Sequence, residues 1–388
     1  MKNISIIIPV YNNFGLTLQC INSIKKHCKN IEYEIIISDD CSTDETKEFF
    51  LSQNEIIYVR NEKNRGFSYT CNRGAEVAKG EYLLFLNNDT LLIDNILTKF
   101  ISTFENYSNA GIIGAKLLYE DNTIQHGGVM IYPYKNVGHL FKNFPTDYPD
   151  ANKVRKLQSV TGACLAIPSK LFFDAGKFDE NFINGFEDLD LCLRIKYNYK
   201  KEIIYNPEIS LYHFEEKTRT INKNRFDEHN KLIIEKWQSK VKPDFFLLDE
   251  GYDYKLNDIL EFYLIKNKIN INEQNLFLAI KKEPLYFAGY KQLISELLDA
   301  NNFNEAEKIA FELIKFEPTV DNYRIIESIY KIKRDLNKLT KVREIINNFI
   351  EHRLQLKNKV EQTVRYLTQT KKDEIAKYYN EWLENFGF

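Results

Sequence analysis

Glu187, Asp188 and Asp190 fall within four residues of one another in the stretch GFEDLDLCLR, just after Gly185. Carboxylates this close together need a reason. One is structural: acids favour a helix N-terminus, where exposed N–H groups and the macrodipole attract negative charge. Asp190 also stands four residues before Arg194, the spacing of an intrahelical ion pair. The other reason is chemical. A carboxylate here can act as general base, taking the proton from a hydroxyl as its oxygen attacks carbon, which is typically worth about 10²- to 10⁴-fold. Spacing alone leaves both accounts open.

If the bond broken in such an attack joins a sugar to a diphosphate, the charge on the leaving group must be neutralised. A divalent cation does this as Lewis acid and template. Two residues stand out as ligands: Asp89, at a strand end two residues after Asn87, and His213, after the late strand ISLY. Each has a plainer account, a turn or helix cap for Asn87-Asn88-Asp89 and simple packing for a histidine between Tyr212 and Phe214. Asp39 and Asp40 could accept hydrogen bonds from a nucleobase or ribose, while one of Ser42, Thr43 and Asp44 is expected to cap the next helix. Arg65, in the turn Asn64-Arg65-Gly66-Phe67, can bring a cation toward a phosphate or be an ordinary surface arginine.

These side chains need a scaffold. Over residues 4–115 the short runs ISIIIPV, EIIIS, IIYVR and YLLFL are each followed by a longer amphipathic stretch. Continuously apolar strands imply burial on both faces, hence an α/β fold with a mixed, mainly parallel sheet covered by helices. Such sheets bind ligands beyond the carboxyl ends of their strands. There the sequence turns polar: Pro9-Val10-Tyr11-Asn12-Asn13, then Asp39 to Asp44, then Asn87 to Thr90. Residues 116–160, rich in aromatics, Gly and Pro, read as hairpins or a mobile loop over the pocket.

A further strand (SVTGACLAI), the helix opened by GFEDLDLCLR and the strands around EIIY and ISLYHF complete a first domain, residues 1–245. From 246 to 388 Leu, Ile, Phe and Tyr recur at helical spacing, which predicts an all-α region. Within it YKLNDILEFYLIKNK reads as an amphipathic helix, packed on the first domain or lying on a membrane surface. Tyr290 to Pro318 has the small-residue spacing of a tetratricopeptide-like helix pair, with a plain helical bundle as the alternative.

A net charge of −2 with 28% charged residues lacks the basic stripe of a nucleic-acid binder. No apolar run approaches the roughly 20 residues that cross a bilayer. Six scattered cysteines without a CxxC pair, and no signal peptide, read as reduced cytosolic thiols. The expected location is cytoplasmic, with peripheral attachment to the inner face of the cell membrane left open.

Set in order, IIIPVYNN, IIISDDCSTDET, NEKNRGFSYTCNRG, YLLFLNNDT, VTGACLAIPSKLF, GKFDENF, GFEDLDLCLR and the His213 strand resemble the family 2 glycosyltransferases of the GT-A fold, in particular their rhamnosyltransferase-like branch. The resemblance covers about residues 3–220. It implies an inverting hexosyltransferase that moves a sugar from a UDP- or dTDP-sugar to a hydroxyl in bacterial polysaccharide, lipopolysaccharide or glycoprotein synthesis. It further implies Asp188 as catalytic base, Glu187 at the acceptor and donor sugar, and Asp89 and His213 as ligands of Mn2+ or Mg2+. Asp39 would read the base, Pro9 and Tyr11 would wall its pocket, and Arg65 and Asn88 would line the nucleotide site. Asn87 departs from the pattern, standing where many relatives carry the first acid of the metal motif.

Two alternatives remain. A sugar nucleotidyltransferase needs a glycine-rich, basic loop after its first strand, and PVYNNFG has one glycine and no base. The other is an inactive binding or scaffold protein that works through the helical region. That region is expected to bind a glycan, lipid-linked or protein acceptor, to form a homo-oligomer, or to attach to a membrane.

Overall fold

The run Ile4–Val10 is buried at every position, as a parallel strand covered on both faces requires. In the computed structural model, which describes residues 4–132, 137–214, 223–237 and 240–386, this run is β1. It lies between β2 (Tyr33–Asp39) and β4 (Tyr82–Leu86), and β2 pairs with β3 (Ile56–Arg60), all in parallel. Between them come α1 (Phe14–His27), α2 (Thr46–Leu51) and α3 (Phe67–Glu76). The register places Val10 opposite Asp39 and Asp39 opposite Arg60, so three polar loops leave the sheet at one level.

The chain continues through β5 (Thr90–Leu92), α4 (Ile96–Asn106), β6 (Ala110–Leu118), β7 (Ile124–His126), β8 (Val129–Ile131), β9 (Val137–His139) and β10 (Arg155–Leu157). It ends this unit with β11 (Cys164–Pro168), α5 (Ser169–Asp174), α6 (Glu187–Tyr197), β12 (Glu202–His213) and α7 (Lys223–Trp237). Among the described residues the main sheet has ten strands, in the order β10-β12-β6-β11-β4-β1-β2-β3, with β5 on β12 and β7 on β6. It is mixed because β11 runs antiparallel to both β4 and β6. Ile4, Ile6 and Ile8 of β1 share one core with Cys20, Ile21 and Ile24 of α1 and with Leu97 and Phe100 of α4; burying each such aliphatic or aromatic side chain is worth about 1.5–3 kcal/mol. The 116–160 stretch resolves into short strands, among them the antiparallel pair β8 and β9, while residues 133–136 lie outside the described set.

The chain divides into two compact units, Met1–Ile131 with Val137–Lys242, and Tyr132–Asn136 with Pro243–Phe388. The second is mainly helical: α8 (Phe246–Asp249), then α9 (Leu276–Lys282), α10 (Phe287–Asp299), α11 (Phe303–Phe316), α12 (Val320–Lys333), α13 (Leu336–Gln369) and α14 (Asp373–Asn385). The expected amphipathic helix at YKLNDILEFYLIKNK is instead an antiparallel hairpin, β13 (Tyr252–Leu256) with β14 (Phe262–Lys266). The cause is period-2 burial of Tyr252, Tyr254 and Leu256, and a turn closed by Asn257 Oδ1, which accepts from Ile259 N and Glu261 N. Along α11, Ala306, Ile309, Ala310 and Leu313 are buried at helical spacing, and the helix packs against both α10 and α12. Among the described residues no helix is long and apolar enough to cross a membrane.

Candidate functional site

The loops after β1 and β2 are stitched together. Asn12 N donates to Ser42 Oγ at 2.8 Å and Thr43 N to Asn12 Oδ1 at 2.8 Å. None of the trio occupies the N-cap position of α2, which is Glu45; Asp44, one residue earlier, ties both helix starts, Oδ1 accepting from Thr46 N and Thr46 Oγ1 and Oδ2 from Phe14 N at the start of α1. Burial pushes its carboxyl up, but the hydrogen bonds from Thr46 and Phe14 together hold it below its ordinary value. Asn12, Asn13 and Cys41 take left-handed backbone, with φ of 58°, 59° and 68°; such residues cluster where a fold holds a site in place.

Asp39 is fully buried. Its carboxylate accepts from Ser42 N at 2.8 Å, from Tyr58 OH at 2.5 Å and from the Arg60 guanidinium. Burial, then Asp39 itself, pushes the Tyr58 phenol well up. Neither Tyr58 nor Arg60 stood out in the sequence; the signal was the parallel register that sets Arg60 beside Asp39. Pro9 is buried within β1, whereas Tyr11 beyond it is 50% exposed.

Asp40 does different work. It accepts from Arg65 N at 2.7 Å, Gly66 N at 2.8 Å and Asn61 Nδ2 at 2.8 Å, fixing the turn before α3. The Arg65 guanidinium itself is exposed and lies over the Tyr69 ring, 4.3 Å from its centroid. Gly66 has φ +87°, and a Cβ there would come within 2.3 Å of Ile183 Cγ2 and 2.6 Å of Ile183 O. The next residue, Phe67, donates its N–H to Ile183 O at 2.8 Å and to Asn184 Oδ1 at 3.0 Å. The turn is thereby docked on the segment that opens α6.

That opening is strained: Gly185 and Phe186 both have positive φ, 103° and 73°, and an aromatic residue there costs of order 1–3 kcal/mol. The three acids then separate. Asp190 is fully buried and holds Arg194 Nε, Lys236 Nζ and Trp237 Nε1, each at 2.8 Å, so its intrahelical pairing is structural. Glu187 is buried and accepts from Gly185 N at 2.5 Å. Asp188, the least buried of the three, accepts Gly162 N on Oδ2 and Leu189 N on Oδ1, both at 2.7 Å.

Gly162 leads to the other half of the constellation, because Ala163 O accepts from Asn87 N at 2.9 Å. His213 Nε2 lies 3.2 Å from Asn87 Nδ2 and 3.2 Å from Asp89 Oδ1, and both His213 and Asp89 are buried. β5 pairs Thr90 with His213, and Phe214 N donates to Asp89 O at 2.9 Å. Asn88 turns away, donating from Nδ2 to Thr17 Oγ1 of α1 at 3.0 Å. On the far side of His213, Gln125 Oε1 is 2.6 Å from Nδ1 and Gln125 Nε2 donates to the His213 carbonyl at 3.2 Å. Gln125 was missed because residues 116–160 carry no periodic pattern.

The residues around Asp89 fit a hard divalent cation. Asn87 Oδ1 is buried and accepts no hydrogen bond among the described residues, and the Asp89 carboxylate faces an imidazole nitrogen. Oxygen donors with one imidazole suit Mn2+ or Mg2+. The neighbouring Cys20 thiol is pushed up to about 12 by burial and stays protonated. Among the described residues no three His, Cys, Asp or Glu side chains gather as a metal cluster, so this chain supplies only part of a coordination shell. Five cysteines are buried and Cys41 is partly exposed. A groove of about 440 Å³ lined by Lys177, Asp179, Arg194 and Lys236 lies apart from this constellation, and its cations are paired with Glu76, Asp179 and Asp190.

The profile of the glycosyl transferase family 2 matches residues 5–172, spanning the loops of Asp39, Asp89 and Gly162. Residues 5–172 are thus similar to a family 2 glycosyl transferase domain. The chain is similar to the O-antigen biosynthesis protein RfbC of Myxococcus xanthus, 28% identical over 225 residues that make up 56% of this chain and 18% of that protein. It is also similar to the glycosyltransferase RP339 of Rickettsia prowazekii (strain Madrid E), 27% identical over 303 residues, 76% of this chain and 90% of that one. The chain spans no more than a quarter of the length of RfbC and of one further relative. The transferase domain has the GT-A fold: GalNAc-T7, solved with UDP, GalNAc and Mn2+, superposes with a TM-score of 0.50 at 14% identity, covering 61% of this chain and 49% of that one.

Proposed function

We propose that this chain is an inverting glycosyltransferase that moves a sugar from a UDP- or dTDP-sugar to a hydroxyl of a bacterial surface glycan. The observation that carries this reading is the hydrogen-bonded path from Asp188 through Gly162 and Ala163 to Asn87 and His213, whose Nε2 lies 3.2 Å from Asp89 Oδ1. It couples a base candidate to a cation-binding corner across one short turn.

In this reading Asp188, held in place by two backbone N–H groups, takes the proton of the acceptor hydroxyl. Asp89 and His213, with Asn87 beside them, hold Mn2+ or Mg2+, which when bound offsets the charge of the departing diphosphate. Glu187 keeps the strained turn before α6 closed, so that Asp188 meets the acceptor. Asp39 reads the base once Arg60, whose side chain is 25% exposed, swings aside; Pro9 and Tyr11 wall that pocket, and Arg65 borders the phosphates. Attack opposite the diphosphate inverts the anomeric centre. The O-antigen role in the RfbC name and the UDP and Mn2+ bound by GalNAc-T7 support the acceptor and donor classes of this reading. The domain boundary near residue 245 and the attachment of the helical region to an acceptor belong to the same proposal.

Calorimetric titration with UDP and dTDP, with and without Mn2+, on wild type and Asp89→Ala tests it. Manganese-dependent binding that disappears in the variant is expected. Wild type that binds neither nucleotide under either condition overturns the reading.

A further inference from the structure

His213 can serve a cation only through a ring nitrogen without a proton, and a neutral imidazole has one. At Nε2 two neighbours pull opposite ways: the Asp89 carboxylate, 3.2 Å away, attracts a proton onto it, and the Asn87 amide nitrogen, also 3.2 Å away, offers one of its own. Gln125 decides between them. Its Oε1 lies 2.6 Å from Nδ1 and can only accept, so Nδ1 must carry the hydrogen. The amide cannot be reversed, since Gln125 Nε2 donates to the His213 carbonyl and a flip would set two carbonyl oxygens against each other.

The backbone explains how Gln125 reaches that position. β7 pairs with β6 as Ile124 opposite Leu118 and His126 opposite Leu117, with a register shift between them. Gln125 is therefore the extra residue of a β-bulge, a device that re-aims a side chain and recurs beside functional sites. It is 3% exposed, and both polar ends of its amide are spent on His213.

We propose that Gln125 is a positioning residue of this site: the bulge aims its amide at His213, fixing the Nδ1–H tautomer and presenting Nε2 as an electron-pair donor to a divalent cation at Asp89. The inference rests on Asp89 and His213 as cation ligands. Partners of metal-binding histidines set tautomer and orientation, and losing one typically costs 10–100-fold in metal affinity.

The test is ¹⁵N NMR of the metal-free, histidine-labelled protein, with the His213 signals among the six histidines assigned by a His213→Gln variant. Wild type should show Nδ1 protonated. Gln125→Leu should move the proton toward Nε2 and weaken Mn2+-dependent UDP binding about 10- to 100-fold. Wild type with Nε2 protonated, or a Leu variant with unchanged tautomer, overturns the proposal. Wild type that binds no nucleotide while its tautomer still follows residue 125 sinks the transferase reading and leaves the tautomer control standing.

Discussion

The Gly162 N–H donates to Asp188 Oδ2 at 2.7 Å, and residue 162 lies close against the Asp188 side chain. A Cβ on residue 162 would sit 3.3 Å from Asp188 Cβ and 3.6 Å from Oδ2, tighter than ordinary contact at the first of these. The distance from base candidate to the Asn87 loop is thus set by two consecutive residues, Gly162 and Ala163.

Asp188→Asn keeps the shape but cannot accept a proton. It should lower kcat by about 10²- to 10⁴-fold while Mn2+-dependent UDP binding stays at the wild-type value. Gly162→Ala should lower kcat less, again without weakening UDP. Steady-state kinetics beside calorimetry separates the two parameters; nucleotide affinity falling in step with kcat would remove Asp188 from the base role.

Arg60→Leu strips the buried Asp39 carboxylate of its cationic partner. Removing one member of a buried pair costs about 3–5 kcal/mol because the remaining charge is uncompensated; with Ser42 and Tyr58 still donating, about 3 kcal/mol is expected. Urea denaturation should show the midpoint fall, and Arg60→Lys should recover part of it.

His126 is fully buried, accepts from Thr161 N at 3.3 Å on Nε2 and meets His139 Nδ1 at 2.5 Å through Nδ1. Burial, then His139 and His213, hold its pKa well below the ordinary value near 6.5. The unfolded chain therefore binds a proton that the folded one refuses. Its contribution is fully present above about pH 6.5 and is lost as pH falls toward the folded pKa, at up to about 1.4 kcal/mol per pH unit. Denaturation midpoints at pH 7.5 and 5.5 should differ more for wild type than for His126→Asn; equal differences would refute the assignment.

In the second unit Asp258 Oδ2 accepts Val320 N at the start of α12 at 2.9 Å, and Oδ1 meets Arg353 Nη1 of α13 at 3.2 Å. Asp258→Ala should cost roughly 2 kcal/mol from a lost cap and a stranded guanidinium. The expected result is earlier melting by calorimetry with UDP affinity unchanged.

β1 to β4 were legible because unbroken apolar runs can only be doubly covered strands, and Asp190 with Arg194 because four-residue spacing forces a meeting on a helix. The hairpin at 252–266 was not, because two short alternating strands joined by a turn imitate helical spacing when read as one window. Asp40, Tyr58 and Arg60 owe their roles to parallel register, and Gln125 owes its role to a bulge that brings it to a residue 88 positions away. No local pattern records either relationship.

Cys41 sits partly exposed one residue beyond Asp40, while the other five thiols are buried, and burial lifts the pKa of Cys20, Cys28, Cys71, Cys164 and Cys192. A gentle alkylating dye should therefore mark this protein at one place without any engineered cysteine. That place is the rim of the proposed nucleotide pocket, so the fluorophore would serve as a built-in gauge of donor arrival and release in real time.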